Sequence, residues 1–112
     1  HQFVRIGTYA MVGGFSGVGQ DILPYTVASG PRAKLFGLNI IGLKRHGFSK
    51  ETISLLQKAY KILFTEKITI KDALNKLQEF SYSKEIVNLI EFIKKSHRGI
   101  CRPPRKRNKW EE

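Results

Sequence analysis

The sequence is short of almost everything that would make its chemistry self-evident. Its 112 residues include one cysteine (Cys101), one tryptophan and one methionine. A single cysteine excludes an internal disulfide and points to a reducing compartment. The three histidines, His1, His46 and His97, are scattered, so no Cys/His cluster has zinc-ligand spacing. No apolar run approaches the roughly 18 residues that a membrane span requires, and no signal peptide opens the chain. Acidic residues are also few, and Asp21 is the only one among the first 35 positions.

What is present in excess is positive charge: 20 Lys and Arg against 9 Asp and Glu, a formal net of +11. Such a balance favours anionic partners without choosing among nucleic acid, an acidic protein, a membrane surface or a phosphorylated metabolite. The charge is uneven. Residues 94–112 hold eight cations, and the segment ICRPPRKRNKWEE carries two prolines and little apolar content. A basic, extended or disordered tail is predicted over 100–112. Only Trp110 interleaves with its cations, and no recognition helix, zinc site or stacking motif accompanies them, so nucleic acid is not the expected partner.

Two regimes divide the rest. In residues 1–37 an aliphatic-Gly pair recurs every six residues: Ile6-Gly7, Val12-Gly13 and Val18-Gly19. Six fits neither a helix nor a hairpin; it fits a parallel β-helix whose aliphatic residues point inward and whose glycines serve tight turns. So short a stretch makes fewer than two coils, and a solenoid needs several to bury a core. A chain that opens on His rather than Met reads accordingly as a fragment continuing upstream.

From residue 38 the period becomes helical. A short helix over 38–46 is predicted to stop at Gly47. Ser49, with Phe48 as a hydrophobic staple to Ile53, opens a helix with Ile53, Leu56, Ala59, Tyr60 and Leu63 on one face. Thr69 with Asp72 caps a second, carrying Ala73, Leu74, Leu77 and Phe80. Ser83 opens a third, carrying Ile86, Val87, Ile90 and Ile93, with Gly99 as its C′ residue. The predicted organisation is a β-helix end over 1–37, a helical domain over 38–99 and the tail.

The segment LNIIGLKRHGFS raises a chemical question. Lys44, Arg45 and His46 in a last helical turn complement the helix dipole, which accounts for Lys44. Asn39 and Arg45, a donor-acceptor pair and a bidentate fork for phosphate oxygens, also suit a cleft for an anionic ligand. Spacing alone leaves both readings open. Gly30-Pro31-Arg32-Ala33-Lys34 reads as a turn, and His1-Gln2 is uninformative in isolation.

Taken together, HQFVRIG, VGGFSGVGQD, the Pro24-Tyr25 pair, LFGLNIIGLKRHGFS and GICR resemble the C-terminal part of the bacterial UDP-N-acetylglucosamine O-acyltransferases, over residues 1–102. GLNIIGLKRHGF is the most specific stretch. The resemblance implies a left-handed parallel β-helix, here its last coils only, followed by an α-helical C-terminal domain, in a cytoplasmic homotrimer with active sites between subunits. The implied reaction moves a (3-hydroxy)acyl chain from acyl carrier protein to the glucosamine 3-hydroxyl of UDP-N-acetylglucosamine, the first step of lipid A biosynthesis, with no metal or diffusible cofactor. The general base and the oxyanion-binding amide are expected upstream of residue 1, so this chain alone is expected to be inactive.

By the same resemblance, His1, Gln2, Asn39, Arg45 and His46 bind substrate, with Arg45 facing the phosphates. Gly14 and Arg32 correspond to the acyl-chain groove. Ile41 and His46 depart from the family pattern, which has a glutamate and a second arginine there. His46 still donates to phosphate when protonated, but more weakly than a guanidinium and with pH dependence. The excess charge suits an acidic carrier protein steered toward a cleft. The alternative expectation is a non-catalytic basic binding or oligomerisation module left after loss of the catalytic coils.

Overall fold

Rung pairing, rather than long strands, organises the first third of the protein in the computed structural model, which describes residues 1–65 and 67–104. Strand β1 (Met11–Val12) lies parallel to β2 (Thr26–Ser29), with Met11 opposite Val27. An isolated parallel bridge sets Ile6 on Ile22, so both rungs step by sixteen residues. Three hexads would make a step of about eighteen, which would put Ile6 opposite Pro24. Proline has no N–H to donate. The rung falls instead on Ile22, whose N–H donates to the Arg5 carbonyl and whose carbonyl accepts from Gly7.

Close approach between coils explains Gly7, Gly13 and Gly17 better than turn geometry does, whereas Gly19 has open space around it. A Cβ on Gly7 would lie 2.6 Å from Pro24 Cα, and one on Gly17 would collide with the Pro31 carbonyl. The turns themselves use tyrosine: Tyr9 and Tyr25, sixteen residues apart, both have positive φ (58° and 69°). The inward-pointing expectation holds in part. Val12 and Val18 pack against the core, but Ile6 remains half-exposed. Strand β3 (Lys34–Leu38) then runs antiparallel to β2.

The helices follow. α1 (Ile40–Arg45) starts two residues later than predicted, because Leu38 still pairs with Thr26 and Asn39 serves as the cap. Gly47, at φ 82°, ends that segment as predicted. α2 (Lys50–Phe64), α3 (Ile70–Leu77) and α4 (Lys84–Lys94) are capped by Ser49, Thr69 and Ser83, each hydroxyl accepting the N–H three residues on. The buried face of α4 carries Leu89 and Phe92 beside Ile86, Ile90 and Ile93, whereas Val87 is exposed. α4 also stops at Lys94, before Gly99. Gly99 (φ 84°) is not its C′ residue but a turn that aims Ile100 at Asp21.

That turn alters the expectation for the tail. Ile100 and Cys101 are buried, the Cys101 N–H donates to the Asp21 carbonyl, and Leu35 N–H donates to the Arg102 carbonyl. These two apolar residues give the start of the segment a place in the core. The basic run from Arg105 lies outside the described residues. Coil and helices share one hydrophobic core, from Ile22, Ala28 and Leu35 through Leu43 and Leu56 to Ile86 and Ile90.

Asp21 ties the halves together. Its carboxylate is fully buried, accepts the Arg5 N–H at 2.8 Å and the Ser96 hydroxyl at 2.7 Å, and lies 4.0 Å from the Arg5 guanidinium. That guanidinium also donates to the Phe92 carbonyl and sits 4.1 Å from the Phe92 ring centroid.

Candidate functional site

Asn39 is where the coil hands over to the helices, and its hydrogen bonds show how. Its side-chain carbonyl accepts the Gly42 N–H at 3.2 Å and caps α1. Its amide Nδ2 donates to the Tyr9 carbonyl at 3.0 Å, and its backbone N–H donates to the Tyr25 carbonyl at 2.8 Å. A Cβ at Gly42 would displace the Asn39 side chain from this capping position. One Nδ2 hydrogen is left over for a ligand.

Arg45 and His46 follow at the other end of α1. Both are exposed, and His46 is the C-cap residue. Asn39 caps the start of α1 and Arg45 closes its last turn, and neither lines a cleft among the described residues. His46 does enter one. A cleft of about 600 Å³ is lined by Tyr9, Tyr25, His46 and Phe48 on one side and by Lys84 and Asn88 of α4 on another. The His46 ring lies 4.9 Å from that of Tyr9. The Tyr9 and Tyr25 rings stack at 6.3 Å, and Phe48 meets Tyr9 edge-on at 5.0 Å. Burial pushes the Tyr25 phenol above its ordinary range, against the opposing effect of its hydrogen bond from Asn88 at 2.9 Å.

The remaining residues gather elsewhere. His1 and Arg32 line a second cleft of about 560 Å³ with Val18, Lys34 and Cys101. Burial raises the Cys101 thiol above its usual range, partly offset by Lys34. Its Sγ donates to the Ala33 carbonyl at 3.1 Å. Gly14 is exposed, with nothing within 4 Å of where its Cβ would be, and Gln2 is exposed as well. The seven predicted site residues thus fall into one group at His46, one at His1 and Arg32, and four positions, Gln2, Gly14, Asn39 and Arg45, that line neither cleft. A wider groove of about 950 Å³, between Lys58 of α2 and Phe80, Tyr82 and Lys84, holds none of them.

Tyr9, Tyr25, Lys84 and Asn88 are the lining residues that sequence reasoning missed. The spacing of the two tyrosines equals the rung step, but that step is visible only once the coil is folded. Among the described residues, no three His, Cys, Asp or Glu side chains come together as a metal site, and no helix is long and apolar enough to cross a membrane.

The chain is similar to known proteins over most of its length. Residues 21–101 match the family model described as UDP N-acetylglucosamine O-acyltransferase, domain 2. A curated acyl-[acyl-carrier-protein]–UDP-N-acetylglucosamine O-acyltransferase of Thermodesulfovibrio yellowstonii is 63% identical over 89 residues, 79% of this chain and 34% of its own length. Its Myxococcus xanthus counterpart is 46% identical over 103 residues, 91% of this chain and 40% of its own. Among solved structures, the Francisella novicida UDP-N-acetylglucosamine acyltransferase superposes with a TM-score of 0.87 at 32% identity, covering 93% of this chain and 39% of that one. The Bacteroides fragilis enzyme gives 0.86 at 41% identity, covering 91% and 40%. The chain thus spans well under half the length of the relatives it matches. With over two thirds of its residues inside the family model, this chain belongs to the UDP-N-acetylglucosamine O-acyltransferase family.

Proposed function

We propose that this chain is the C-terminal portion of an enzyme that transfers a (3-hydroxy)acyl group from acyl carrier protein to the glucosamine 3-hydroxyl of UDP-N-acetylglucosamine, opening lipid A biosynthesis. The observation that carries the reading is the superposition on the Francisella novicida acyltransferase across 93% of the chain. Residues 1–37 are the last coils of a left-handed parallel β-helix, 38–99 a helical domain and 100–112 a basic extension whose first residues close onto the coil. The protein works in the cytoplasm as a homotrimer.

In this reading the catalytic base and the oxyanion donor come from coils outside this chain. The base takes the proton of the sugar hydroxyl, whose oxygen attacks the thioester carbonyl; collapse breaks the C–S bond, and the carrier leaves as its thiol. This chain binds and orients. Arg45 offers its fork to the diphosphate and Asn39 its remaining N–H to the nucleotide-sugar, while His46 stands beside them as a weaker, pH-dependent donor. His1 and Gln2 face substrate, and Gly14 with Arg32 shapes the acyl groove. The open space at Gly14 supports the groove assignment, because any larger side chain would project into it. The split of the residues into two clefts within one chain supports a site assembled between protomers.

The test is acyl transfer by the longer protein from source cells, with Arg45→Ala beside it. The expected result is activity in the parent and a KM for UDP-N-acetylglucosamine raised by about tenfold or more in the variant, the scale of one lost charged hydrogen bond. No transfer by the parent would overturn the reading. Transfer by the isolated 112 residues would overturn the placement of the base.

A further inference from the structure

A helix of six residues does not hold its own direction in water, so α1 must be aimed by what it touches. Leu43 buries one side of it. The rest of its fixation leads to one residue. The Tyr9 carbonyl accepts from Asn39 Nδ2 at the start of α1, and the Tyr9 ring lies 4.9 Å from His46 at its end. Tyr9 therefore touches both ends of the segment whose last turn presents Arg45.

Tyr9 is itself fixed in an unusual way. Its φ of 58° belongs to the left-handed region, which few residues other than Gly, Asn and Asp occupy and which surrounding structure must hold in place. Here the holding is visible. Tyr25, one rung below in the same conformation, stacks beneath it, and Phe48 abuts both rings. Tyr25 is buried and its hydroxyl is tied to Asn88, whereas Tyr9 is 39% exposed and its hydroxyl makes no hydrogen bond among the described residues. What Tyr9 contributes is thus its ring face and its carbonyl, not its phenol.

We propose that Tyr9 is the positioning residue of the nucleotide-sugar side of the site, setting the direction of α1 and hence of Arg45 and His46. The proposal rests on the reading of Asn39, Arg45 and His46 given above. It implies that the coil corner is an input to substrate affinity although its side chain makes no bond to the reacting atoms. A residue that only stabilised the fold would change both substrates' kinetics together; one that aims α1 changes those of the nucleotide-sugar selectively.

The experiment compares Tyr9→Asn, Tyr9→Phe and Arg45→Ala in the full-length acyltransferase, measuring KM for each substrate, kcat and the unfolding temperature. Asn tolerates positive φ, so Tyr9→Asn removes the ring with little backbone strain. The expected result is a KM for UDP-N-acetylglucosamine raised about tenfold in Tyr9→Asn, with the KM for the acyl carrier substrate within about twofold of the parent and Tyr9→Phe restoring both. If Tyr9→Asn does not fold, Tyr9→Gly, which adopts positive φ without strain, carries the same comparison. An effect of Arg45→Ala with none of Tyr9→Asn overturns the positioning role alone. No effect of Arg45→Ala removes the underlying reading, and the proposal with it. Equal changes in both KM values in Tyr9→Asn reduce Tyr9 to a structural residue.

Discussion

The coil and the helices are held by opposite means. Each of α2, α3 and α4 is closed within a few residues of its own sequence, by a Ser or Thr hydroxyl on the N–H three positions on. The coil has two-residue β1 and single bridges, and its order comes from residues one rung away touching backbone to backbone. A helix of this kind tolerates change on its outer face; the coil does not tolerate a single methyl where two rungs meet. Local closure gives redundancy, and distant closure gives precision.

The sharpest way to break that contrast is at Gly7. Ala there would drive a Cβ into the backbone of Pro24, which cannot swing aside as a side chain would. We expect a loss of about 3 kcal/mol or more, read from urea unfolding. Gly14→Ala, with open space around it, is the matched control and should stay within about 0.5 kcal/mol. Equal effects would mean that the rungs are not in contact as described.

Asp21→Ala tests the joint between the regions. It leaves the Arg5 N–H and the Ser96 hydroxyl without their acceptor and should cost about 2–3 kcal/mol. Amide exchange should speed up at Gly7 and Ile22 before it does at Leu56; uniform acceleration would show one cooperative unit instead.

Ser49→Ala removes the cap of α2 and should cost about 1 kcal/mol. A loss as large as that at Gly7 would erase the distinction between local and distant closure. The smallest effect is expected with pH. Burial raises the phenols of Tyr25, at the coil corner, and Tyr60, on α2. Raised folded-state values mean that this contribution to stability is fully present below the ordinary phenol range near 10 and is lost as pH climbs through the folded values. The unfolding temperature should fall only in strongly alkaline buffer, and Tyr25→Phe should blunt that fall.

The same contrast governs what was legible in the sequence. Ser49, Thr69, Ser83 and Gly47 mark helix ends through rules that act within a turn, and each does so in the structure. The period of six exposed the coil, but not its pairing step, because whether Ile6 meets Ile22 or Pro24 depends on which residue can donate an N–H across the rung. Gly99 misled for a related reason: a left-handed glycine after a helix looks like a cap, and nothing nearby reveals that it serves a strand pairing with Asp21. Asn39 and Arg45 were visible as chemistry, whereas the hydrogen bond from Asn39 Nδ2 to the Tyr9 carbonyl, thirty residues away, was not.

The bridge between Asp21 and Ile100 has a consequence for the order in which the protein is made. Synthesis runs from the N-terminus, so the coil leaves the ribosome first, yet the segment that completes its lower edge leaves after all four helices. Pairings so distant in sequence form slowly. The helices, whose caps need only their neighbours, are ready beforehand and wait with their apolar faces against an unfinished rung. Release of Ile100 and Cys101 is therefore the step that turns a nascent chain with an open sheet edge into a finished one, and a chain stalled before Gly99 would present that edge to whatever strand it met.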